Sequence, residues 1–426
     1  MSPHSPVTLD RTGVHLYEQL DRLRAAGPAV RVRLPGDLVA WSVSRGDVVK
    51  RLLTHPHVSK DARKSWPGYR PYAIGWLIAW VDVVSMLTAD GADHQRLKNL
   101  VGKAFTARRI EAMRPAITAI VTGLLDELAA GPPGQPVDLR ARYSYRIPTQ
   151  VICDLFGVPR EQRPAMLTAI DAVLDTSLSQ EQAAEAQQHM IAAMRRLIDT
   201  KRADPGDDMT SRLVAASDTG PADNPTEHHD IDPEPLTADE LISTLVLMIG
   251  AGSETTVSLI DHAVTAMLTH PDQLAAVRRD PDRWADVIEE TLRQHSPVMH
   301  LPLRYAAADI PLDDGVTIAK GDLILIAFGA HGRDPAVNPD PGRFDIDRHD
   351  RAHLAFGHGI HFCLGAPLAR LEAAIALPAL FARFPHLRLA VPAGELRRQP
   401  SFIGNDVQRL PVITGQESPL TPGAGG

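Results

Sequence analysis

The chain predicts a mainly α-helical fold with small β-sheets, and three features carry that prediction. Apolar residues recur at three- and four-residue spacing along most of its length, Pro- and Gly-bearing breaks separate those stretches, and β-rich runs are few and short. In chain order, the spacing predicts helices over 16–26, 94–105, 110–130, 165–174 and 181–203. Strands are expected near 29–34 and 39–43, and again within 310–326, where Gly and Asp pairs mark turns. Residues 217–235 are acidic, rich in Pro and nearly devoid of large apolar groups, which predicts a mobile surface loop. Directly after it, Thr237-Ala-Asp-Glu240 reads as a capping box in which hydroxyl and carboxylate each satisfy a free amide of the first turn. No proline follows until Pro271, so this helix is expected to run about 30 residues, roughly 45 Å, and to cross the molecule. The tail from Gly415 is expected to be disordered.

The 426 residues carry 44 Lys and Arg against 52 Asp and Glu, a formal charge of −8. An acidic balance argues against a non-specific nucleic-acid binder, which needs cations to replace counterions on phosphates. Hydrophobic residues at 44% and charged residues at 23% are ordinary for a globular core and exclude wholesale disorder. Two cysteines, Cys153 and Cys363, cannot build a disulfide framework or a clustered zinc site. The first residues lack a basic segment followed by an apolar run, and no stretch shows the uninterrupted apolar length of a membrane span. A soluble cytoplasmic protein is expected.

The most informative stretch is Phe356-Gly-His-Gly-Ile-His-Phe-Cys-Leu-Gly-Ala-Pro-Leu-Ala-Arg370. Glycines on both sides of Cys363 let the backbone fold tightly under a flat ligand, and a helix starts just beyond them. Its positive end would stabilise the Cys363 thiolate. Cys153, in Val-Ile-Cys-Asp-Leu, reads as an ordinary core residue. A second pattern, Ala251-Gly-Ser-Glu-Thr-Thr256, lies inside the long helix. Glycine is costly there and a Thr hydroxyl can bond back to a carbonyl one turn earlier, so the helix is suited to a local widening. Glu290 and Arg293 stand three apart on one helical face, as do His94 and Lys98 four apart.

Taken together, these stretches resemble the cytochrome P-450 superfamily of haem-thiolate monooxygenases, and the likeness spans nearly the whole chain. Phe356, Gly359, Cys363 and Gly365 fall on the family pattern Phe-x-x-Gly-x-x-x-Cys-x-Gly. The resemblance implies a single catalytic domain over 1–414, triangular in outline, with haem b (iron protoporphyrin IX) between the long central helix and the helix after the cysteine loop. It makes Cys363 the axial iron ligand, a thiolate that favours O–O cleavage over oxygen carriage. His94, Lys98, Arg304 and His361 match positions that hold the haem propionates, although Lys98 stands where Arg is usual and lacks its bidentate fork. Glu254 and Thr255 match the pair that relays protons toward O2, with Ser253 at a position often His. Glu290, Arg293 and Arg343 match a buried structural ion-pair set. Walls of the substrate pocket are expected from the segment 66–86 including Met86, from the helices flanking residue 180, from Met248, Ala251, Val298 and Leu301, and from Phe402 and Ile403.

The resemblance also implies what must come from outside. The chain has no dinucleotide fingerprint and no ferredoxin cysteine spacing, so electrons are expected from a ferredoxin and its NAD(P)H-dependent reductase. Arg96, Lys98, Lys103, Arg108 and Arg109 form a basic stretch suited to steering such a donor. The expected reaction is hydroxylation or epoxidation, by a monomer, of a bulky hydrophobic small molecule such as a polyketide, terpenoid or steroid. Two alternatives stay open: oxidative cross-coupling of phenols or a peptide, and a haem sensor that never turns over. A zinc site from His358, His361 and Cys363 lacks a fourth ligand.

Overall fold

The computed structural model describes residues 5–103, 105–174, 178–218 and 235–415. The loop expected at 217–235 and the tail expected at 415–426 lie outside those residues except at their edges, where the Ser217 hydroxyl donates to the Leu236 carbonyl at 2.9 Å.

Helices dominate, and their bounds follow the apolar spacing. Helices form at Leu16–Ala26, Gly91–Gly102, Arg163–Leu174 and Gln180–Ala203. The helix expected over 110–130 is two, Ala107–Ala112 and Arg114–Ala129, because Pro115 sits in the first turn of the second and has no amide to continue the first. The Thr237 capping box is present with both reciprocal bonds. From it a helix runs over Ala238–Ala251, breaks at Gly252-Ser253 and resumes over Glu254–Thr269. By length and composition Ala238–Thr269 is apolar enough to cross a membrane, which reading the sequence for uninterrupted apolar runs did not register; 61% of its most apolar window is buried inside this fold. It is a core helix. Ile249, Val257, Ile260 and Ala263 are fully buried on it, packed against the helices Arg146–Leu155, Trp284–Gln294 and Ala366–Arg383.

The largest sheet has six strands in the order Val7–Thr8, Val30–Arg33, Val39–Val43, Leu323–Ala327, His300–Ala306, Val58–Ser59. Its central strand Leu323–Ala327 is buried throughout, as an unbroken apolar run requires. The strand His300–Ala306 was not expected; it alternates poorly, carries Pro302, and its register slips between Leu301 and Arg304. That slip matters, since Leu301 and Arg304 both reach the central cavity.

The ion-pair set holding the segment before the cysteine loop is fully buried. All five Arg293 donor sites are used: Nε and Nη2 on Glu290 at 2.7 Å each, Nη1 on the carbonyls of Gly332 at 2.7 Å and Pro341 at 2.9 Å, Nη2 also on that of Arg343 at 3.0 Å. Arg343 contributes only this carbonyl. Its side chain is exposed and pairs with Asp345, and the guanidinium that approaches Glu290 is that of Arg348, 3.5 Å away. The sequence expectation is corrected here. The turn after Pro341 points the Arg343 side chain outward; the chain returns to the carboxylate with the Asp345 amide, which donates to Glu290 Oε1 at 2.9 Å, and then with the Arg348 side chain.

Candidate active site

The cysteine loop is a backbone construction. The Cys363 amide donates to the Phe356 carbonyl at 2.9 Å, closing the loop on itself. Gly357 and Gly359 both take φ of +75°, and a Cβ on Gly359 would sit 3.1 Å from the Leu53 carbonyl oxygen and 3.0 Å from Thr54 Cγ2. Only glycine lets this turn seat against the helix Gly46–Leu53. Gly365 differs: its φ is −79°, and it precedes the helix Ala366–Arg383. Burial pushes the Cys363 thiol up, while the Gly365 and Ala366 amides and Arg370 pull it down by favouring the thiolate. Cys363 nonetheless has exposed surface, because it opens onto an internal cavity of about 370 Å³. Phe356 lines the same cavity with the Arg370 guanidinium 4.5 Å over its ring.

Glu254 and Thr255 line the cavity too. The helix is distorted just before them: Ser253 has φ −101° and ψ −84°, its hydroxyl donates to the Ile249 carbonyl at 3.1 Å, and the Thr255 hydroxyl donates to the Ala251 carbonyl at 2.8 Å. Side-chain oxygens thus take over carbonyls that the widened turn frees. A Cβ on Gly252 would come within 2.6 Å of Ile152 Cδ1, so the glycine also permits close helix packing. Glu254 accepts from Arg140 Nη2 at 2.5 Å. Burial raises its carboxyl to about 7; Arg140 opposes the rise, and Asp406 and Asp171 add to it.

The four expected propionate-holding residues meet at the cavity wall. His94 bonds the carbonyls of Met86 at 2.7 Å and Ile360 at 3.1 Å, and its ring stands edge-on to His361 with 4.3 Å between centroids. The Lys98 ammonium donates to the Ile360 carbonyl. Arg304 is buried, and burial lowers its guanidinium to about 10. Beside it lies Lys60, fully enclosed and bonded only to the carbonyls of Pro302 at 3.3 Å and Leu303 at 3.1 Å. Burial, then Arg304, pushes that ammonium well down. The nearby carboxylate is Asp90; although burial opposes it, the His361 imidazole close by and hydrogen bonds from Ser59 and the Lys60 and Asp61 amides hold it well below the usual range. His361 Nε2, 3.8 Å from Asp90, has no hydrogen-bond partner, and burial lowers His361 to about 4. Two buried cations and an orphaned ring nitrogen gather around one carboxylate. That excess of positive charge and donors fits a group that carries two carboxylates, as haem does, and Arg304, His361, His94 and Lys98 would hold those carboxylates. Among the described residues no cluster of three His, Cys, Asp or Glu is placed to hold a bare metal ion.

Met86, Met248, Ala251, Val298, Leu301 and Ile403 line the cavity as expected from the sequence, together with Ile170 and Met190 near residue 180. Phe402 does not. It is fully buried, with its ring 5.4 Å from Trp76 and edge-on to it. The chain bends at 402 and 403, which turns Ile403 into the cavity while Phe402 packs into the core cluster that includes Leu303 and Leu325 of the largest sheet. Sequence reasoning missed Lys60, Asp90, Arg140, Asp406 and Glu372. Glu372, on the helix after Cys363, is buried, lines the cavity, has an unpartnered oxygen and is pushed far up by burial. Its position nine residues past the cysteine, on the helix facing the cavity, was the available signal.

Residues 176–392 match the family model described as Cytochrome P450. The chain is 44% identical over 411 residues to a 2-hydroxy-5-methyl-1-naphthoate 7-hydroxylase of Streptomyces carzinostaticus, covering 96% of this chain and 97% of that one. It is 40% identical to cytochrome P450 monooxygenase PikC of Streptomyces venezuelae over 93% of this chain and 90% of that protein. Among solved structures, CYP154A1 from Streptomyces coelicolor A3(2) superposes with a TM-score of 0.89 at 49% identity, over 96% of this chain and all of that one. Likeness of this extent, in sequence and in backbone, around a cysteine loop that opens onto an internal cavity leads to one conclusion: this chain belongs to the cytochrome P450 family of haem-dependent monooxygenases.

Proposed function

We propose that the protein, a cytoplasmic monomer, inserts one oxygen atom of O2 into a bulky hydrophobic or amphipathic small molecule of the polyketide, terpenoid or steroid class, by hydroxylation or epoxidation. The observation that carries this is a single apolar cavity walled by both the Cys363 loop and the Glu254-Thr255 turn. Met86, Met248, Ala251, Val298, Leu301 and Ile403 give it a surface that excludes water and rewards an apolar ligand. The naphthoate hydroxylase named above acts on a fused aromatic, a size and character that suit such walls.

In this reading Cys363 binds the haem iron, and His94, Lys98, Arg304 and His361 hold its propionates. When bound, haem supplies the redox chemistry of O2 activation. The chain supplies positions and protons. Each insertion consumes one O2, two electrons and two protons and releases one water. Glu254, carrying a proton near neutral pH, delivers it beside the Thr255 hydroxyl, and the opened helix turn gives the small reactant room. Electrons come from a ferredoxin and an NAD(P)H-dependent reductase. Lys103, Arg108 and Arg109 are exposed at the edge where the helix Ala107–Ala112 packs on the helix Ala366–Arg383, and offer the donor a positive face. Arg96, expected in that face, instead pairs with Glu240.

The reduced protein under carbon monoxide tests the cysteine assignment: a thiolate-type spectrum is expected, lost in Cys363→Ser. An unchanged spectrum in that variant overturns it. Product mass tests the reaction, because insertion adds one oxygen atom whereas coupling removes hydrogen.

A further inference from the structure

Behind Glu254 the structure places a buried cluster of charge that nothing above uses. Arg140, at the start of the turn Arg140–Ser144, has its Nη2 on Glu254 at 2.5 Å, its Nε on Asp406 Oδ2 at 3.2 Å and the same Nε 3.7 Å from Asp261 Oδ2. Asp261 lies seven residues after Glu254 on the same helix, two turns along the same face. Asp406 comes from the C-terminal segment and lines the cavity along with Glu254. Arg140, Asp261 and Asp406 are all buried. One guanidinium therefore faces three carboxyl groups, and carboxylates that share one enclosed site cannot all be ionised.

Hydrogen bonding singles out which one keeps the proton. Asp406 accepts from Arg140 and from the Val407 amide at 2.7 Å, and Glu254 accepts from Arg140. Asp261 has no such pair of strong donors: the Ser144 hydroxyl beside it opposes the rise only in part, and the Arg140 Nε lies 3.7 Å from its Oδ2, beyond hydrogen-bond reach. A buried anion held this weakly is far costlier than the neutral acid. Burial first, then the Asp406 charge, push Asp261 well up, in the same direction. The other groups bearing on the cluster are Arg398, which acts on Asp406, and Asp171, whose carboxylate accepts from the Tyr145 hydroxyl at 2.8 Å while the Tyr145 ring lies 5.6 Å from the Arg140 guanidinium carbon.

We propose that Asp261 stores a proton for the relay and passes it through Asp406 to Glu254, with Arg140 as the positioning residue that holds the three carboxyls together. The inference rests on Glu254 delivering protons as proposed above. Asp261 Oδ2 and Asp406 Oδ2 face the same Arg140 Nε, so a small rotation of Asp261 lets its O–H bond break as an O–H bond forms on Asp406; water in the cavity, which Asp406 and Glu254 both line, carries that proton to the Glu254 carboxylate once Glu254 has released its own beside Thr255, and returns a proton to Asp261 through Asp406. Two protons are consumed per oxygen inserted, and Glu254 alone holds one. A second stored proton removes the wait for solvent between them.

The test uses the full-length haem-loaded protein and begins at rest. Infrared spectra at pH 8 are expected to show the carbonyl stretch of two protonated buried carboxyls, one removed by Asp261→Asn and the other by Glu372→Gln. A wild-type spectrum holding only the Glu372 band overturns the proposal without any need for the variant to turn over. During turnover, Asp261→Asn is expected to lower product formed per NAD(P)H about tenfold, less than the roughly 100- to 10,000-fold of a group that acts directly because Glu254 still delivers the first proton, and to raise the solvent deuterium isotope effect. Its carbon monoxide spectrum should stay unchanged. Arg140→Lys, which keeps the charge but loses the fork, should shift the Asp261 band and fall between. If Glu254→Gln uncouples the enzyme while Asp261→Asn does not, the storage role alone fails; if Glu254→Gln has no effect, the relay itself fails.

Discussion

Glu254 keeps its proton to about pH 7 because burial outweighs the guanidinium bonded to it, and the sign of the consequence is fixed. The folded protein binds that proton more tightly than the unfolded chain, whose Glu titrates near 4.5. Its contribution to stability is therefore complete below about pH 4.5 and drains away as the pH rises toward 7. Glu254→Gln should flatten this segment of the curve, by about 3 kcal/mol at most at one pH unit per 1.36 kcal/mol. Urea unfolding of both proteins at pH 5 and pH 8 measures it, and parallel curves would contradict the assignment. The same residue shows what could be read in advance. Glu254, Thr255 and the Cys363 loop are legible because each role is written in contiguous residues whose backbone geometry depends on local glycines. Arg140 and Asp406 are not, since they reach Glu254 from 114 and 152 positions away in the chain and only the fold unites them. Arg343 and Phe402 fail for a related reason: which of several nearby side chains turns inward depends on a single turn or bend of the chain.

The helices expected at 16–26, 94–105, 165–174 and 181–203 were legible to within a few residues because burial on one face imposes the 3.6-residue period, and caps such as Thr237 with Glu240 mark helix starts. Short strands were not. Val7–Thr8, Val58–Ser59 and Val137–Asp138 are two residues each, too short for alternation to register, and they exist because neighbours pair with them. The break in the long helix was legible as a tendency, while its cause is tertiary: Gly252 lies where Ile152 of the helix Arg146–Leu155 presses in. Gly252→Val should push those helices apart at a cost of about 1–3 kcal/mol, typical of overpacking, and should lower the melting temperature. Retention of wild-type stability would show that the contact relaxes freely. The Glu290–Arg293 pair makes a larger claim on stability. With the Glu290 carboxylate gone, Arg293 remains a buried cation holding only carbonyls, so Glu290→Ala should cost about 3–5 kcal/mol. Haem content per polypeptide after purification measures it. Full occupancy would mean that the segment 332–345 does not depend on the pair to present the cysteine loop.

Charge is distributed unevenly over the molecule, and that asymmetry governs how it meets an electron donor. The whole chain is at −8, yet Lys103, Arg108 and Arg109 are all exposed in or just before the helix Ala107–Ala112, which packs on the helix that follows Cys363. A net negative body slows approach of an acidic donor such as the ferredoxin proposed above, while the local positive field draws it to the face beside the helix that follows Cys363. Such steering acts on the encounter and is screened beyond about 8 Å at 0.15 M salt. Changing all three residues to Glu should therefore cut the second-order rate of reduction about tenfold or more at low salt, with the difference shrinking as salt rises, because electrostatic steering contributes 10- to 1,000-fold. Stopped-flow reduction across a salt series separates this from damage to the cysteine loop. Damage would slow reduction by a small-molecule reductant equally at every salt concentration, whereas lost steering leaves that rate untouched. Arg96 supplies the internal control: paired with Glu240, it contributes little free field, and Arg96→Gln should leave the salt slope unchanged even if it loosens the helix it anchors.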